Sequence, residues 1–187
     1  MTETAKILSD LLPLSEFYSG DFPLAVEWIE GEAMPEPYRS LLVHDSDMTP
    51  TLEAFHGQEI HLNVLDLRFE NGILSREVVL QLNDSDRPVE FGAIHIHLET
   101  FEHAPKQAIL QGYRPLGSIL HDFAIPHESH PSGFFSVEPD ELIKKYLGFD
   151  DDRLLYGRCN RLIHESGAPL ADVVEILPPI EGMGENE

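Results

Sequence analysis

Residues 60–82, IHLNVLDLRFENGILSREVVLQL, decide the fold. Apolar Ile60, Leu62 and Val64 alternate with His61 and Asn63, the period of two that an extended strand needs to keep one face buried. The run ends at Glu70-Asn71-Gly72, where an Asn-Gly pair accepts the positive φ angles of a tight hairpin turn. Ile73 to Leu82 is then a return strand, and a second turn at Asn83–Asp86 leads into a third strand over Arg87–Leu98. An antiparallel meander is the expected centre of the molecule.

Working outward, Thr49 followed by Pro50 is a helix cap and first-turn pair, which predicts a helix over Pro50–Phe55 that Gly57 stops. A helical segment is expected at 37–44. Ile7, Leu8, Leu11, Leu12 and Leu14 fit a short amphipathic helix over 3–18, broken by Pro13, so residues 1–45 form a helical N-terminal segment. Beyond the meander, helices are expected around Pro105–Leu110 and within Gly112–Leu120. The stretch Asp122–Pro139, rich in Pro, Ser, Gly and His, reads as a long loop of the kind that serves as a lid or binding segment. Glu138–Leu147 is helical with Gly148 as its cap, and Leu154–His164 and Leu170–Leu177 form a closing hairpin around Glu165–Pro169. The sum is an α+β fold: one domain over residues 1–180, a single antiparallel sheet of about six strands with helices on one face, and a frayed tail at 181–187.

Twelve Lys and Arg against 34 Asp and Glu leave a formal charge of -22. Such a field repels phosphate backbones and anionic lipid, so neither nucleic acid nor a membrane surface is an expected partner. It also means that an anionic small molecule must be held by a local cation. One cysteine, Cys159, excludes an internal disulfide and a Cys-rich zinc site. No basic segment leads into an apolar core at the N-terminus, and no apolar run reaches 18 residues, so a cytoplasmic, monomeric chain is expected.

The familiar hydrolase, kinase and dinucleotide motifs are missing from the sequence. Ten histidines raise the question of a metal, with His95 and His97 two apart in VEFGAIHIHLETF and His121, His127 and His130 in the long loop. Without an identified third or fourth ligand, no metal and no cofactor is expected.

Four short stretches, in this order, carry more information. They are Asp47-Met-Thr49, Arg76-Glu-Val-Val-Leu80, Arg114-Pro-Leu-Gly-Ser-Ile-Leu120, and Tyr156-Gly-Arg-Cys-Asn-Arg-Leu162 followed by Ser166–Pro169 and Val174-Glu-Ile-Leu-Pro178. Together, over roughly residues 40–178, they resemble the chorismate lyase family and, more distantly, the effector-binding domains of GntR-type regulators. The resemblance implies helices acting as flaps over an internal, water-excluded pocket. It also implies a cofactor-free elimination of pyruvate from chorismate, or from a related cyclic enolpyruvyl acid, to leave a hydroxybenzoate. The alternative is a non-catalytic protein that binds a small aromatic or cyclic carboxylate in the same pocket. A regulator in its usual form is disfavoured, because roughly 40 residues ahead of the resemblance are too few for a winged DNA-binding domain.

By the same resemblance, Met48 and Thr49 face the ligand and Glu175 is the catalytic acid. Where the family has a Gly-Arg pair in the third strand, this chain has Gly92-Ala93. Loss of that arginine removes a charge-assisted contact worth about 1.5–3 kcal/mol. If Ala93 lines the pocket, strand parity places His95 and His97 beside it as replacement cations, with Arg158 as a further source. The expected substrate-binding set is therefore Met48, Thr49, Ala93, His95, His97 and Arg158.

Overall fold

The protein is described by a computed structural model covering residues 11–19 and 22–180. The tail at 181–187 and the first half of the helix expected over 3–18 lie outside these residues. Within them, Leu14–Phe17 forms one short 3-10 turn.

Seven strands form one sheet: β1 (Ala25–Ile29), β2 (Ile60–Glu70), β3 (Ile73–Leu82), β4 (Pro88–His97), β5 (His127–Glu138), β6 (Leu155–His164) and β7 (Pro169–Leu177). Their spatial order is β1-β5-β6-β7-β4-β3-β2, with every neighbouring pair antiparallel. The meander β2-β3-β4 stands as the alternation requires. Asn71 and Gly72 take φ angles of 51° and 82° in the hairpin turn, the left-handed region that Asn and Gly tolerate best.

Two strands exceed the sequence expectation. β5 occupies most of the stretch read as a loop, because its Pro, Ser, Gly and His content hides a pleated pattern. Ser129, Phe135 and Val137 are buried while Glu128 and His130 face solvent. Pro131 cannot donate to a ladder, and the register shift between Pro131 and Gly133 absorbs it. β1 pairs with β5 through only five residues and lies in the Pro- and Gly-punctuated segment.

Five helices complete the fold: α1 (Tyr38–Leu42), α2 (Met48–His56), α3 (His103–Gln111), α4 (Leu116–Asp122) and α5 (Glu141–Leu147). α2 starts earlier than Thr49 suggested. Asp47 is its cap residue, and Gly57 ends it with a φ of 67°.

The sheet is buried on both sides. On one face, α1 to α4 cover Leu62, Val78, Leu80, Ile94, Ile96 and Leu162. On the other, Leu11, Leu14 and α5 residues Ile143 and Leu147 pack on Val79, Phe91, Ala93, Phe135, Cys159, Val174 and Ile176. Helices are thus not confined to one face, because α5 and the segment ahead of β1 close the second core.

Central β4 and β7 approach so closely at Gly92 that a Cβ there would lie 2.4 Å from the Val174 carbonyl oxygen. Backbone cannot yield as a side chain does. Gly92→Ala is therefore expected to lower stability by about 1–3 kcal/mol, read as a reduced urea midpoint. An unchanged midpoint would show that the two strands are free to separate there.

Candidate functional site

The face under α1 to α4 encloses a small internal cavity of about 60 Å³, walled by Met48, Leu62, Val78, Leu80, Ile94, Leu116, Leu162 and Val173. That holds about two waters at roughly 30 Å³ each and is well below the several hundred Å³ of typical ligand pockets. The roof is made by two helix starts: Met48 and Thr49 of α2 meet Leu116 and Gly117 of α4. A Cβ on Gly117 would touch Thr49 Oγ1 at 3.1 Å. A ligand larger than water must part these helices.

Six polar residues line this apolar space: Asp47, Thr49, Arg76, Glu90, Asn160 and Glu175. Strand parity explains their convergence. On β3, Arg76, Val78 and Leu80 share the cavity face; on β4, Glu90, Gly92 and Ile94 do; on β7, Val173 and Glu175 do.

Arg76 is 1% exposed. Its Nε has no partner, and its Nη1 reaches only the Ile109 carbonyl at 3.5 Å, the outer limit of a hydrogen bond. Burial pushes its pKa down to about 10, which still leaves a cation at neutral pH. Among the described residues, no carboxylate is paired with it.

Glu175 and Arg158 behave differently. Arg158 is fully buried, and its Nε donates to Glu175 Oε2 at 2.5 Å. Its remaining N–H groups donate to the carbonyls of Leu42 at 3.2 Å, His44 at 2.9 Å and Ser46 at 3.1 Å. His44 Nε2 donates to the Leu41 carbonyl at 2.7 Å, which leaves Nδ1 to accept from Arg158 and from the Ser46 amide. Arg158 therefore fastens the segment before α2 to the sheet and does not line the cavity.

Glu90, 4% exposed, has an Oε2 without a partner. Burial, then the nearby Glu175 charge, push its pKa well above the usual 4.5, against a smaller opposing pull from Arg158. Both effects favour the protonated form of the Glu90 carboxyl.

At the cavity edge, Asp47 Oδ2 lies 2.8 Å from His127 Nε2, while His127 Nδ1 faces the Ile125 carbonyl at 2.8 Å. Both ring nitrogens thus face acceptors. The hydrogen bond to Asp47 raises the His127 pKa more than burial lowers it. Asn160 Nδ2 donates to Ser129 Oγ at 2.8 Å. A surface groove lined by Asp45, Ser46, His127 and His130 abuts the cavity at Asp47.

Of the sequence-predicted residues, Met48, Thr49 and Glu175 line the cavity. Ala93, His95 and His97 do not. They occupy the opposite face of β4, where Ala93 is buried against Val79 and Val174. His95 Nε2 meets Glu16 Oε2 at 2.8 Å, and His97 Nε2 meets Asp172 Oδ2 at 3.3 Å. Residue 93 belongs to the core on the face away from the cavity, so its identity has no bearing on the cavity's charge. The cation sought in the histidines is Arg76, one strand away. Among the described residues, no three of His, Cys, Asp or Glu converge as a metal-binding group, and no helix is long and apolar enough to cross a membrane.

No family model matches the chain, and no curated protein matches it in sequence. Solved structures do share the fold. PhnF from Mycobacterium smegmatis superposes with a TM-score of 0.54 at 9% identity, over 71% of this chain and 64% of PhnF. The chain thus spans just under two thirds of that protein. The effector domain of the same PhnF gives 0.53 at 10% identity, over 71% of this chain and 88% of the domain. Gene product SA0254 from Staphylococcus aureus gives 0.50 at 10% identity, over 63% and 82%. The chain thus shares the fold of the PhnF effector domain.

The raised Glu90 pKa has a sign that can be tested. Folding is disfavoured by the proton Glu90 must keep once pH exceeds the unfolded value of 4.5, and this cost grows until the folded value is reached. Glu90→Gln removes it. The variant is expected to match the parent near pH 4.5 and to become the more stable as pH rises toward neutral, read as urea midpoints across that range. A constant offset at every pH would contradict a neutral Glu90.

Proposed function

We propose that this domain binds a small organic carboxylate in the cavity beneath α2 and α4, with the Arg76 guanidinium as its anchor. The observation that carries the reading is a fully buried guanidinium with no anionic partner, walled by aliphatic side chains. An uncompensated buried charge costs several kcal/mol, and a bound carboxylate both offsets that cost and receives the guanidinium fork. The local cation also meets the condition set by a chain of formal charge -22. The effector-domain fold agrees with a small molecule as the occupant.

The fit to a carboxylate can be read by titration calorimetry with 4-hydroxybenzoate and benzoate. Arg76→Met preserves the bulk of the side chain and removes its charge. It is expected to weaken binding by about 10- to 150-fold, the equivalent of about 1.5–3 kcal/mol for a charged hydrogen bond. Unchanged affinity in the variant would place the ligand elsewhere.

A second reading, elimination of pyruvate from chorismate or a related enolpyruvyl acid, is favoured by Glu175 and Arg76 lining one cavity. It needs a carboxyl group that delivers a proton to the departing ether oxygen. Glu175 already accepts from Arg158, so the neutral Glu90 is the better-placed donor. The binding reading stands first because chorismate carries two carboxylates and the cavity offers one unpaired cation. Pyruvate release from chorismate, lost in Glu90→Gln, would reverse that order.

A further inference from the structure

Among the described residues, five buried side chains carry a polar atom without a partner: Tyr18, Asp47, Arg76, Glu77 and Glu90. Three of the five, Asp47, Arg76 and Glu90, border the cavity beneath α2 and α4. Buried polar groups are almost always satisfied in folded proteins, and unsatisfied ones gathered around a cavity indicate groups that an occupant completes.

The charges around the cavity can be matched pair by pair. Asp47 stands against His127, and Glu175 against Arg158. That leaves Arg76 and Glu90 as the two groups whose partners the protein does not supply.

Their positions set the length and polarity of the occupant. Arg76 pairs with Ile94 across β3 and β4, and Leu80 pairs with Glu90. Four residues of strand, at about 3.3 Å each, put the two side chains about 13 Å apart at their roots on the same face. Between them lies Val78, with Leu62, Ile94, Leu116 and Val173 around. The slot is thus cationic at one end, aliphatic along its length and carboxylic at the other.

Resting on the carboxylate-binding reading, we propose that Glu90 sets specificity: the cavity takes a small acid with one carboxylate on Arg76 and an uncharged oxygen at its far end, hydrogen-bonded to Glu90, and rejects diacids of the same length. Burial and the Glu175 charge both keep the Glu90 carboxyl neutral, so it has a proton to give to a hydroxyl, carbonyl or ether oxygen and an oxygen to accept from a hydroxyl. A second carboxylate at that end would meet the Glu175 charge, while only Arg158, already committed to five acceptors, offsets it.

Three benzoates that differ only at the para position separate the possibilities: benzoate, 4-hydroxybenzoate and terephthalate. Each is titrated into the parent protein, Glu90→Leu and Arg76→Met, with circular dichroism confirming that the variants fold. The parent is expected to bind 4-hydroxybenzoate about tenfold more tightly than benzoate, as one added hydrogen bond allows, and terephthalate at least tenfold more weakly than 4-hydroxybenzoate. In Glu90→Leu, 4-hydroxybenzoate should lose about tenfold and fall to the affinity of benzoate. Equal affinities for all three in the parent, all lost in Arg76→Met, would overturn the role of Glu90 and leave the carboxylate reading intact. Binding of benzoate and 4-hydroxybenzoate that is indifferent to Arg76→Met, or no binding of any probe, would overturn both.

Discussion

The buried contact between Arg158 and Glu175 organises the face of the sheet on which the site is built. It joins neighbouring strands β6 and β7 by side chain as well as by ladder, and the same guanidinium gathers the carbonyls of Leu42, His44 and Ser46. Those carbonyls belong to the turn that delivers Asp47 and the start of α2. Desolvating such a pair is expensive, and its worth depends on every donor finding an acceptor. Here the guanidinium's acceptors come from two separate parts of the chain. The roof of the cavity is thereby held to its floor by one side chain, which supports the site without facing it.

With Glu175 engaged by Arg158 and Asp47 by His127, the cavity is left with an asymmetric pair of ends. Arg76 supplies charge, Glu90 supplies a neutral acid, and the space between them is aliphatic. Each end owes its character to the same fact, that the sheet is covered on both faces. Burial leaves the Arg76 Nε without a protein partner, and burial beside Glu175 favours the proton on Glu90. The closed cavity has room for about two waters, so occupancy and helix movement are coupled: the α2 and α4 starts that meet at Thr49 and Gly117 must separate when a ring is admitted.

Much of the fold was legible because local signals agreed. The Asn-Gly turn between two alternating strands fixed the hairpin, and the Gly57 and Gly148 helix ends stand where they were read. β5 was not legible, since its polar residues report an exposed outer row and its Pro131 a bulge, both of which look like loop in composition. Parity was the decisive matter at the site. On β7 it came out as read, with Glu175 inward. On β4 it did not. Residues 89–94 are all buried, so apolar spacing carries no information about which side faces the helices, and the eye is drawn to the His-Ile alternation further along the strand. That alternation marks where β4 leaves the core, with His95 and His97 reaching carboxylates at the rim of the opposite face. The signal that was present lay in Arg76 and Glu90 themselves, charged residues inside otherwise apolar strands whose neighbours leave no solvent face for them.

The most direct test of the account is a crystal structure of the protein with 4-hydroxybenzoate. The account predicts the carboxylate within hydrogen-bonding distance of Arg76 Nε, the hydroxyl beside Glu90, and the starts of α2 and α4 displaced outward. Density for the ligand in a surface groove, with Arg76 still unpartnered in a closed cavity, would contradict it.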